Sequence, residues 1–151
     1  MRAHYRSTHE PLSAHDLEQH GVHYRHLGLE KAVFQPVLDE LSHKRGYSTQ
    51  DEVKLSKETP NLPGVLKKFD DEHLHEDDEV RFLLDGEGVF DIRANDERWM
   101  RIVVEAGDLI VVPKGKHHRF ELTEMCRIHC VRLFKDVAGW VPVYRENPPP
   151  G

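Results

Sequence analysis

The feature that most constrains the fold is a short polar stretch, His73-Leu-His75-Glu-Asp-Asp-Glu79-Val-Arg81. Residues two apart on an extended strand point to the same face, and these numbered side chains share one parity. A strand through the stretch therefore predicts that two imidazoles, a carboxylate and a guanidinium face inward together. Paired imidazoles with a carboxylate are typical of a site for a first-row transition ion, whereas calcium and magnesium prefer oxygen ligands.

The polar stretch at 73–81 could instead be a solvated turn without a metal. A second stretch of the chain argues against this alternative. Residues 109–112 are an apolar run, and Pro113-Lys-Gly115 marks the end of a strand. His118 then begins a further predicted strand. One strand that supplies His-x-His-x-x-x-Glu and another that supplies a single histidine can close four ligands around one ion inside a barrel.

Short strands separated by turns follow one another along the second half of the chain. Asp85-Gly-Glu-Gly between two of them is a hairpin signal. Strands at this spacing favour a closed sandwich or barrel. The predicted strands cover residues 80–84, 88–93, 99–104, 109–112, 118–122, 127–134 and 141–144.

The first half of the chain predicts peripheral helices outside this barrel. Residues 1–20 are predicted to be a polar, weakly ordered segment that contains one short helix within 12–20, beginning after Ser13. A short strand is predicted next, at 22–27. A helix over 36–46 has Pro36 in its first turn. A second helix is expected through 51–55, capped by Ser48 or Thr49, and a short helix or turn at 64–69. We expect a single domain over 21–146 and an extended or disordered tail at 147–151.

Length and charge exclude several classes of protein. A chain of 151 residues suits one domain that buries a core without disulfides. A formal net charge of -6 repels the phosphate backbone of nucleic acid. No apolar run approaches the length of a membrane span, and the first residues lack the apolar region of a signal peptide. We therefore expect a cytoplasmic protein with no nucleic-acid or membrane partner.

Histidine is abundant, with 12 residues, so some clusters arise by chance. His20, His23 and His26 come without a carboxylate or a turn, and we interpret them as surface residues. Cys126 and Cys130 lie in a predicted strand, where their side chains would share a face. They fit reduced structural thiols, a redox pair or half a zinc site. Since no second pair completes a zinc site, reduced thiols are favoured.

The motifs resemble those of a known family. Gly86 follows Glu79 after six residues, and Gly107, Pro113, Gly115 and His118 keep the spacing of the second cupin motif. The strings His-Leu-His-Glu-Asp-Asp-Glu-Val-Arg-Phe, Leu-Asp-Gly-Glu-Gly-Val-Phe-Asp-Ile-Arg and Glu-Ala-Gly-Asp-Leu-Ile-Val-Val-Pro look like the acireductone dioxygenase family of the methionine salvage pathway. The resemblance runs from Gly21 to Arg145. It implies an all-β dominated, cupin-type double-stranded β-helix (jelly-roll barrel).

The resemblance also implies a site and a reaction. His73, His75, Glu79 and His118 would hold one Fe2+ or Ni2+ per chain, leaving positions open for the oxygens of an acireductone. Dioxygen would then cleave the substrate. With iron the family gives 2-keto-4-methylthiobutyrate and formate, and with nickel 3-methylthiopropionate, formate and carbon monoxide. A monomer in the cytoplasm, and also in the nucleus, is expected.

Further residues match the family's substrate site. Arg81 is expected to stabilise enolate oxygens, although an ion pair with Asp77 or Asp78 is the alternative. Phe69 and Phe120 match aromatic positions around the substrate, and Phe120 fits the core equally well. His117 replaces the aromatic residue usual before His118 and, by parity, faces away from the site. Two other functions remain open from the sequence: another cupin enzyme that acts on a small enolisable substrate, and a cupin that binds a metal without catalysis.

Overall fold

Strands dominate the structure, a computed structural model that describes residues 1–75, 77–135 and 143–145. The tail predicted at 147–151 and residues 141–142 lie outside the described residues. No helix in the described part of the chain is long and apolar enough to cross a membrane. The elements are β1 (Arg2–Tyr5), α1 (Ala14–Gln19), β2 (His23–His26), α2 (Lys31–Arg45), β3 (Thr49–Leu55), α3 (Leu62–Asp70), β4 (His73–Leu74), β5 (Glu79–Arg93), β6 (Trp99–Glu105), β7 (Asp108–Val112), β8 (His118–Glu121), β9 (Ile128–Phe134) and β10 (Val143–Tyr144).

One strand, β5, belongs to both sheets of the molecule. The first sheet has the order β1-β6-β5-β8-β4-β10, and the second has the order β2-β7-β5-β9-β3, with all pairs antiparallel. The first half of β5 pairs with β7 and β9, whereas its second half pairs with β6 and β8. The sheets are therefore joined along a continuous strand. This arrangement confirms the expected strand-dominated barrel with peripheral helices.

The hairpin expected at Asp85-Gly-Glu-Gly is wrong, because β5 continues through it. The register against β9 shifts between Leu83 and Asp85, which is a bulge and not a turn. Gly86 has φ 83°, and a Cβ at this position would lie 2.0 Å from the carbonyl oxygen of Arg127. Glycine is therefore required at position 86 because the backbone of Arg127, just before β9, passes very close to β5.

The alternation of side chains along the strands builds two cores. On β5, Val80 and Phe82 face outward from the barrel and Leu83 faces inward. The inner core, between the sheets, includes Leu83, Phe90, Ile92, Met100, Ile102, Val104, Ile110 and Val112. The outer core, between the second sheet and α2, includes Phe34, Leu38, Val80, Phe82, Leu109, Val111, Val131 and Leu133.

The helix α2 covers the outer face of the second sheet, as expected for a peripheral helix. Phe34 packs on Phe82 with 4.8 Å between ring centroids, and Leu38 is fully buried. The helix ends at Gly46, with φ 80°, as predicted. Its start was predicted too late. It begins at Lys31, so Pro36 lies inside the helix, where it removes one helical hydrogen bond that the packing offsets.

The second helix expected after Ser48 or Thr49 is wrong, because this segment is the strand β3. It pairs with β9 along its whole length, from Thr49 opposite Phe134 to Leu55 opposite Ile128. Its burial alternates, with Val53 and Leu55 half-buried and Lys54 between them exposed. Tertiary pairing with β9 thus overrides the local helical signal.

The N-terminal residues are not the weakly ordered segment that was expected. β1 pairs with β6, and Tyr5 is buried in the inner core. The short helix α1 is confirmed: Ser13 and Asp16 exchange hydrogen bonds in a capping box, and Leu17 is fully buried. A four-residue strand with polar neighbours carries too little pattern to be recognised.

Two smaller expectations have different outcomes. The helix or turn at 64–69 is confirmed as α3, with Pro63 in its first turn. Cys126 and Cys130 do not share a strand, because Cys126 lies in a turn with φ 49° and only Cys130 lies on β9. Both are free thiols.

Candidate metal centre

Three histidines from separate parts of the chain meet between the sheets. His73 on β4 lies directly opposite His118, the first residue of β8, and His75 follows β4. Each ring offers one nitrogen, and these nitrogens lie within 4.8 Å of one another. Of the groups of histidine, cysteine and acidic residues in the described chain, only this one converges in this way. It can hold a metal ion.

The hydrogen bonds of the rings fix which nitrogens are available. Nδ1–H of His73 donates to the carbonyl oxygen of Asp71 at 2.7 Å, and Nδ1–H of His118 donates to that of Lys116 at 2.8 Å. A carbonyl oxygen only accepts, so the proton is on Nδ1 and the neutral ring keeps a lone pair on Nε2.

The Nε2 atoms of all three histidines are buried without a hydrogen-bond partner among the described residues. Buried polar atoms normally have a partner, and leaving one without costs free energy. A metal ion satisfies such lone pairs, and a carbonyl that accepts the opposite N–H is the usual support of a ligating imidazole. The donor set therefore fits a transition ion. His75 differs in that neither of its ring nitrogens has a hydrogen-bond partner in residues 1–75, 77–135 or 143–145.

Glu79 places a carboxylate beside these rings. Its Oε1 lies 3.5 Å from Nε2 of His75, and its Oε2 lies 3.2 Å from Nε2 of His118. Arg81 donates from Nη2 to Oε1 at 3.1 Å. Burial favours the neutral acid, but Arg81 and His118 hold the pKa of Glu79 well below its usual range. The carboxylate is therefore ionised and able to bind a cation.

The surroundings keep one ring neutral and favour charge on another. Burial, together with the charge of His118, lowers the pKa of His73 to about 4, so this ring is neutral at pH 7. Burial also opposes charge on His118, but the negative charge of the Glu79 carboxylate beside it raises the pKa of His118. The site thus concentrates one negative charge among nitrogen donors.

The single strand expected through His73–Arg81 is wrong, although its residues still meet. β4 ends at Leu74 and β5 begins at Glu79. Between them, Asp78 accepts hydrogen bonds from the hydroxyl of Tyr47 at 2.5 Å and from the N–H of Lys114 at 2.9 Å. The N–H of Gly115 also donates to the carbonyl of His75. These bonds tie the segment to the turn that precedes His118, and so they bring both stretches to one site.

An apolar pocket adjoins Glu79. Phe69 on α3 and Phe120 on β8 pack edge to face with 6.4 Å between centroids. Phe120 also packs against the inner core, 5.0 Å from Phe90, so its two expected environments coincide. The apolar lining is Val53, Leu55, Phe69, Phe90, Phe120, Ile128 and Cys130, and the polar lining is Glu79, Arg81 and Arg132.

Arg81 lies at this pocket and not in a surface ion pair. Among the described residues it donates to Glu79 and to the carbonyl of Val80, and it forms no ion pair with the expected alternatives Asp77 and Asp78. Asp77 faces Lys135, with 3.9 Å between the charged atoms. Neither aspartate accepts from a site imidazole, because main-chain carbonyls fill that role.

His117 is not part of the converging group. Its main-chain carbonyl accepts from the N–H of Arg93, and its half-buried ring lies near Arg145 and Glu72. Burial, followed by the charge of Arg145, lowers the pKa of His117. The ring thus lies on the opposite face of the strand from His118, as parity predicts.

Arg132 is a charged residue of the pocket that was not predicted from the sequence. Arg132 lies opposite Arg81 in register and is held by Asp51 through bonds of 2.8 and 2.6 Å. The signal was present, because Ile128, Cys130 and Arg132 alternate along β9 and all line the pocket. Val53 and Leu55 were missed because β3 was interpreted as a helix.

Comparisons with known proteins agree with this geometry. Residues 2–142 match the model of the ARD/ARD' family. Acireductone dioxygenase of Heterostelium pallidum is 46% identical over 147 residues, which cover 97% of this chain and 99% of that protein. Acireductone dioxygenase of Dictyostelium discoideum is 47% identical over 141 residues, which cover 93% and 96%.

A solved structure has a very similar fold. Acireductone dioxygenase from Bacillus anthracis, with a cadmium ion in its active center, superposes with a TM-score of 0.89 at 30% identity. The match covers 95% of this chain and 97% of that one. The cadmium ion in that protein is consistent with a metal centre in this fold.

Proposed function

Because the chain belongs to the ARD/ARD' family, we propose that it is an acireductone dioxygenase that cleaves 1,2-dihydroxy-3-keto-5-methylthiopentene with dioxygen in methionine salvage. One observation carries the proposal. Three buried imidazoles converge next to an ionised carboxylate at the edge of an apolar pocket, and their Nε2 atoms have no hydrogen-bond partner in the described part of the chain.

Four residues are proposed as ligands: His73, His75, Glu79 and His118. An iron or nickel ion bound there would supply a Lewis acid and a template for the oxygens of the substrate. The carbonyls of Asp71 and Lys116 hold the proton on Nδ1 of two rings and so direct their lone pairs to the site.

Arg81 is proposed to bind the deprotonated enediol. Its guanidinium lines the pocket beside Glu79, and it keeps its charge at any physiological pH. Donors that are already in position stabilise developing negative charge strongly where water is excluded. Arg81 would thus lower the energy of the enolate without taking or giving a proton.

The apolar lining is proposed to bind the methylthio tail. Phe69, Phe90 and Phe120 supply ring edges and faces, and thioethers make favourable contacts with aromatic rings. Cys130 lines the same pocket. Burial raises the pKa of its thiol, so the side chain stays uncharged there. The pocket would hold the tail and exclude water from the reacting carbons.

The decisive experiment combines elemental analysis with product analysis. The purified chain is stripped of metal, loaded with Fe2+ or with Ni2+, and given acireductone under oxygen. We expect one ion per chain, with 2-keto-4-methylthiobutyrate and formate from the iron form, and 3-methylthiopropionate, formate and carbon monoxide from the nickel form. If either ion binds stoichiometrically but acireductone disappears no faster than in buffer, the protein is a cupin for another substrate or a metal-binding protein without this activity.

The proposal includes a monomer that works in the cytoplasm and also in the nucleus. Both remain predictions from the sequence and its resemblance. Light scattering of the purified protein checks the first, and microscopy of a fluorescent fusion checks the second.

A further inference from the structure

A buried ion-pair network lies next to His73 in the chain. The side chain of Glu72 is 5% exposed. Its Oε1 accepts hydrogen bonds from Nε and Nη2 of Arg93, at 3.3 and 2.8 Å, and its Oε2 accepts one from Nη1 of Arg145 at 2.9 Å. We name Glu72, Arg93 and Arg145 the arginine latch.

Both arginines are themselves held in place. Nη1 of Arg93 donates to the carbonyl of Glu97 at 2.9 Å, and its guanidinium carbon lies 3.8 Å from the ring centroid of Trp99. Nη1 of Arg145 also donates to the carboxylate of Glu97 at 2.8 Å. In addition, the main-chain N–H of Arg145 donates to the carbonyl of Glu72 at 3.1 Å. Glu72 is thus fixed through its side chain and its main chain.

The fixed residue lies between a ligating ring and the group that orients it. The carbonyl of Asp71 accepts Nδ1–H of His73, and Glu72 is the residue between them. His73 also pairs with His118 on one side and with Tyr144 on the other. A rotation of the Glu72 backbone would move the Asp71 carbonyl relative to the imidazole. It would therefore change the direction in which Nε2 of His73 points.

We propose that the arginine latch positions His73 for the metal ion. Arg93 and Arg145 act through Glu72, which fixes the Nδ1–H···O=C bond and with it the direction of Nε2. The proposal rests on the metal centre of the proposed function and is independent of its substrate. Groups that orient a ligating imidazole typically change metal affinity by about 10- to 100-fold when they are removed.

The test uses Glu72→Gln in the full chain, with Co2+ alone as the probe. Glutamine keeps the size of the side chain, but its amide N–H groups face a guanidinium and break one side of the latch. The visible absorption of bound Co2+ is recorded, and its loss is then followed after a chelator is added. We expect shifted absorption bands and a dissociation rate about tenfold or more above that of the unmodified chain.

A matched control separates positioning from general stability. Asp108 on β7 is also a buried carboxylate, held by the hydroxyl of Tyr24 at 2.6 Å and by His26 at 3.0 Å. Asp108→Asn should lower the melting temperature but leave the Co2+ spectrum and dissociation rate unchanged. Equal acceleration in both variants, or unchanged dissociation in Glu72→Gln, would overturn the proposal.

Arg145→Gln decides the question if Glu72→Gln does not fold. Its side chain is 21% exposed, and Arg93 still pairs with Glu72, so the fold should persist with a smaller acceleration of Co2+ loss. Unchanged spectrum and rate in this variant would also overturn the proposal. If the unmodified chain does not bind Co2+, the metal centre itself is wrong, whereas a chain that binds Co2+ without consuming acireductone refutes only the proposed activity.

Discussion

Two groups of three histidines differ in what their rings contact. In the first group, His20 accepts the N–H of Asn95 on Nδ1 and pairs through Nε2 with the hydroxyl of Tyr5. His23 pairs with Glu18, and His26 pairs with Asp108. Each ring in this group has its own polar partner, so these contacts do not bring the three rings together.

Within the residues that the structure describes, the second group, His73, His75 and His118, has no such separate hydrogen-bond partners at Nε2. The first group even has two carboxylates, which its sequence did not reveal because they come from α1 and β7. Neither histidine density nor nearby acids therefore make a metal site. What distinguishes the second group is that its buried lone pairs converge and find no hydrogen-bond donor among the residues that the structure describes.

The largest effect is expected from His118, the first residue of β8, and not from its neighbour His117. His118→Ala should lose most of the bound metal and bring turnover to background, because it removes a converging nitrogen. His117→Ala and His23→Ala should keep the metal. Elemental analysis of the three purified variants checks this. Metal loss in His117→Ala with retention in His118→Ala would mean that the register of β8 is shifted by one residue.

Arg81→Ala tests whether the guanidinium beside the second group is needed for metal binding or only for turnover. We expect full metal content and a turnover reduced about a hundredfold, corresponding to about 2–4 kcal/mol of transition-state stabilisation. Arg81→Lys should recover only part of the rate, since a point charge does not replace a planar fork. Near-normal turnover with a lowered melting temperature would leave Arg81 as a structural residue only.

The effect of Ni2+ on the melting temperature should be smaller, and it tests the second group of histidines independently of activity. A ligand present at a hundred times its Kd stabilises the folded state by about 2.7 kcal/mol. Ni2+ at that concentration should therefore raise the Tm of the unmodified chain but not that of His75→Ala. Calorimetry with and without the ion measures the shift, and an equal rise in both would place the stabilising ion elsewhere.

The smallest effect is expected from a substitution in the first group of histidines, His20, His23 and His26. His26→Ala removes a hydrogen bond to Asp108 from a side chain that is 62% exposed, so the loss in unfolding free energy should be within about 1 kcal/mol. Its metal content should not change. Denaturant unfolding checks the stability, and a change in metal content would contradict the comparison itself.

The convergence of the three histidines was easier to predict from the sequence than the bounds and pairing of individual strands, for physical reasons. Histidine spacing and the turn at Pro113 and Gly115 are local, and they identified the residues that converge even though the strand through His75 is interrupted. β3 was misjudged because its structure depends on pairing with β9, which lies some eighty residues away in the register Asp51–Arg132. Gly86 was misjudged because glycine marks both turns and close backbone approach.

The position of β9 between β3 and β5 also has a consequence for how the chain folds during synthesis. β3, and the edge of β5 that does not face β7, can pair with β9 only after residues 128–134 have left the ribosome, and pairings so distant in sequence are slow to form. His73, His75, Glu79 and His118 are all made earlier. Cys130 and Arg132, which line the pocket, are thus translated only after every proposed ligand has been translated.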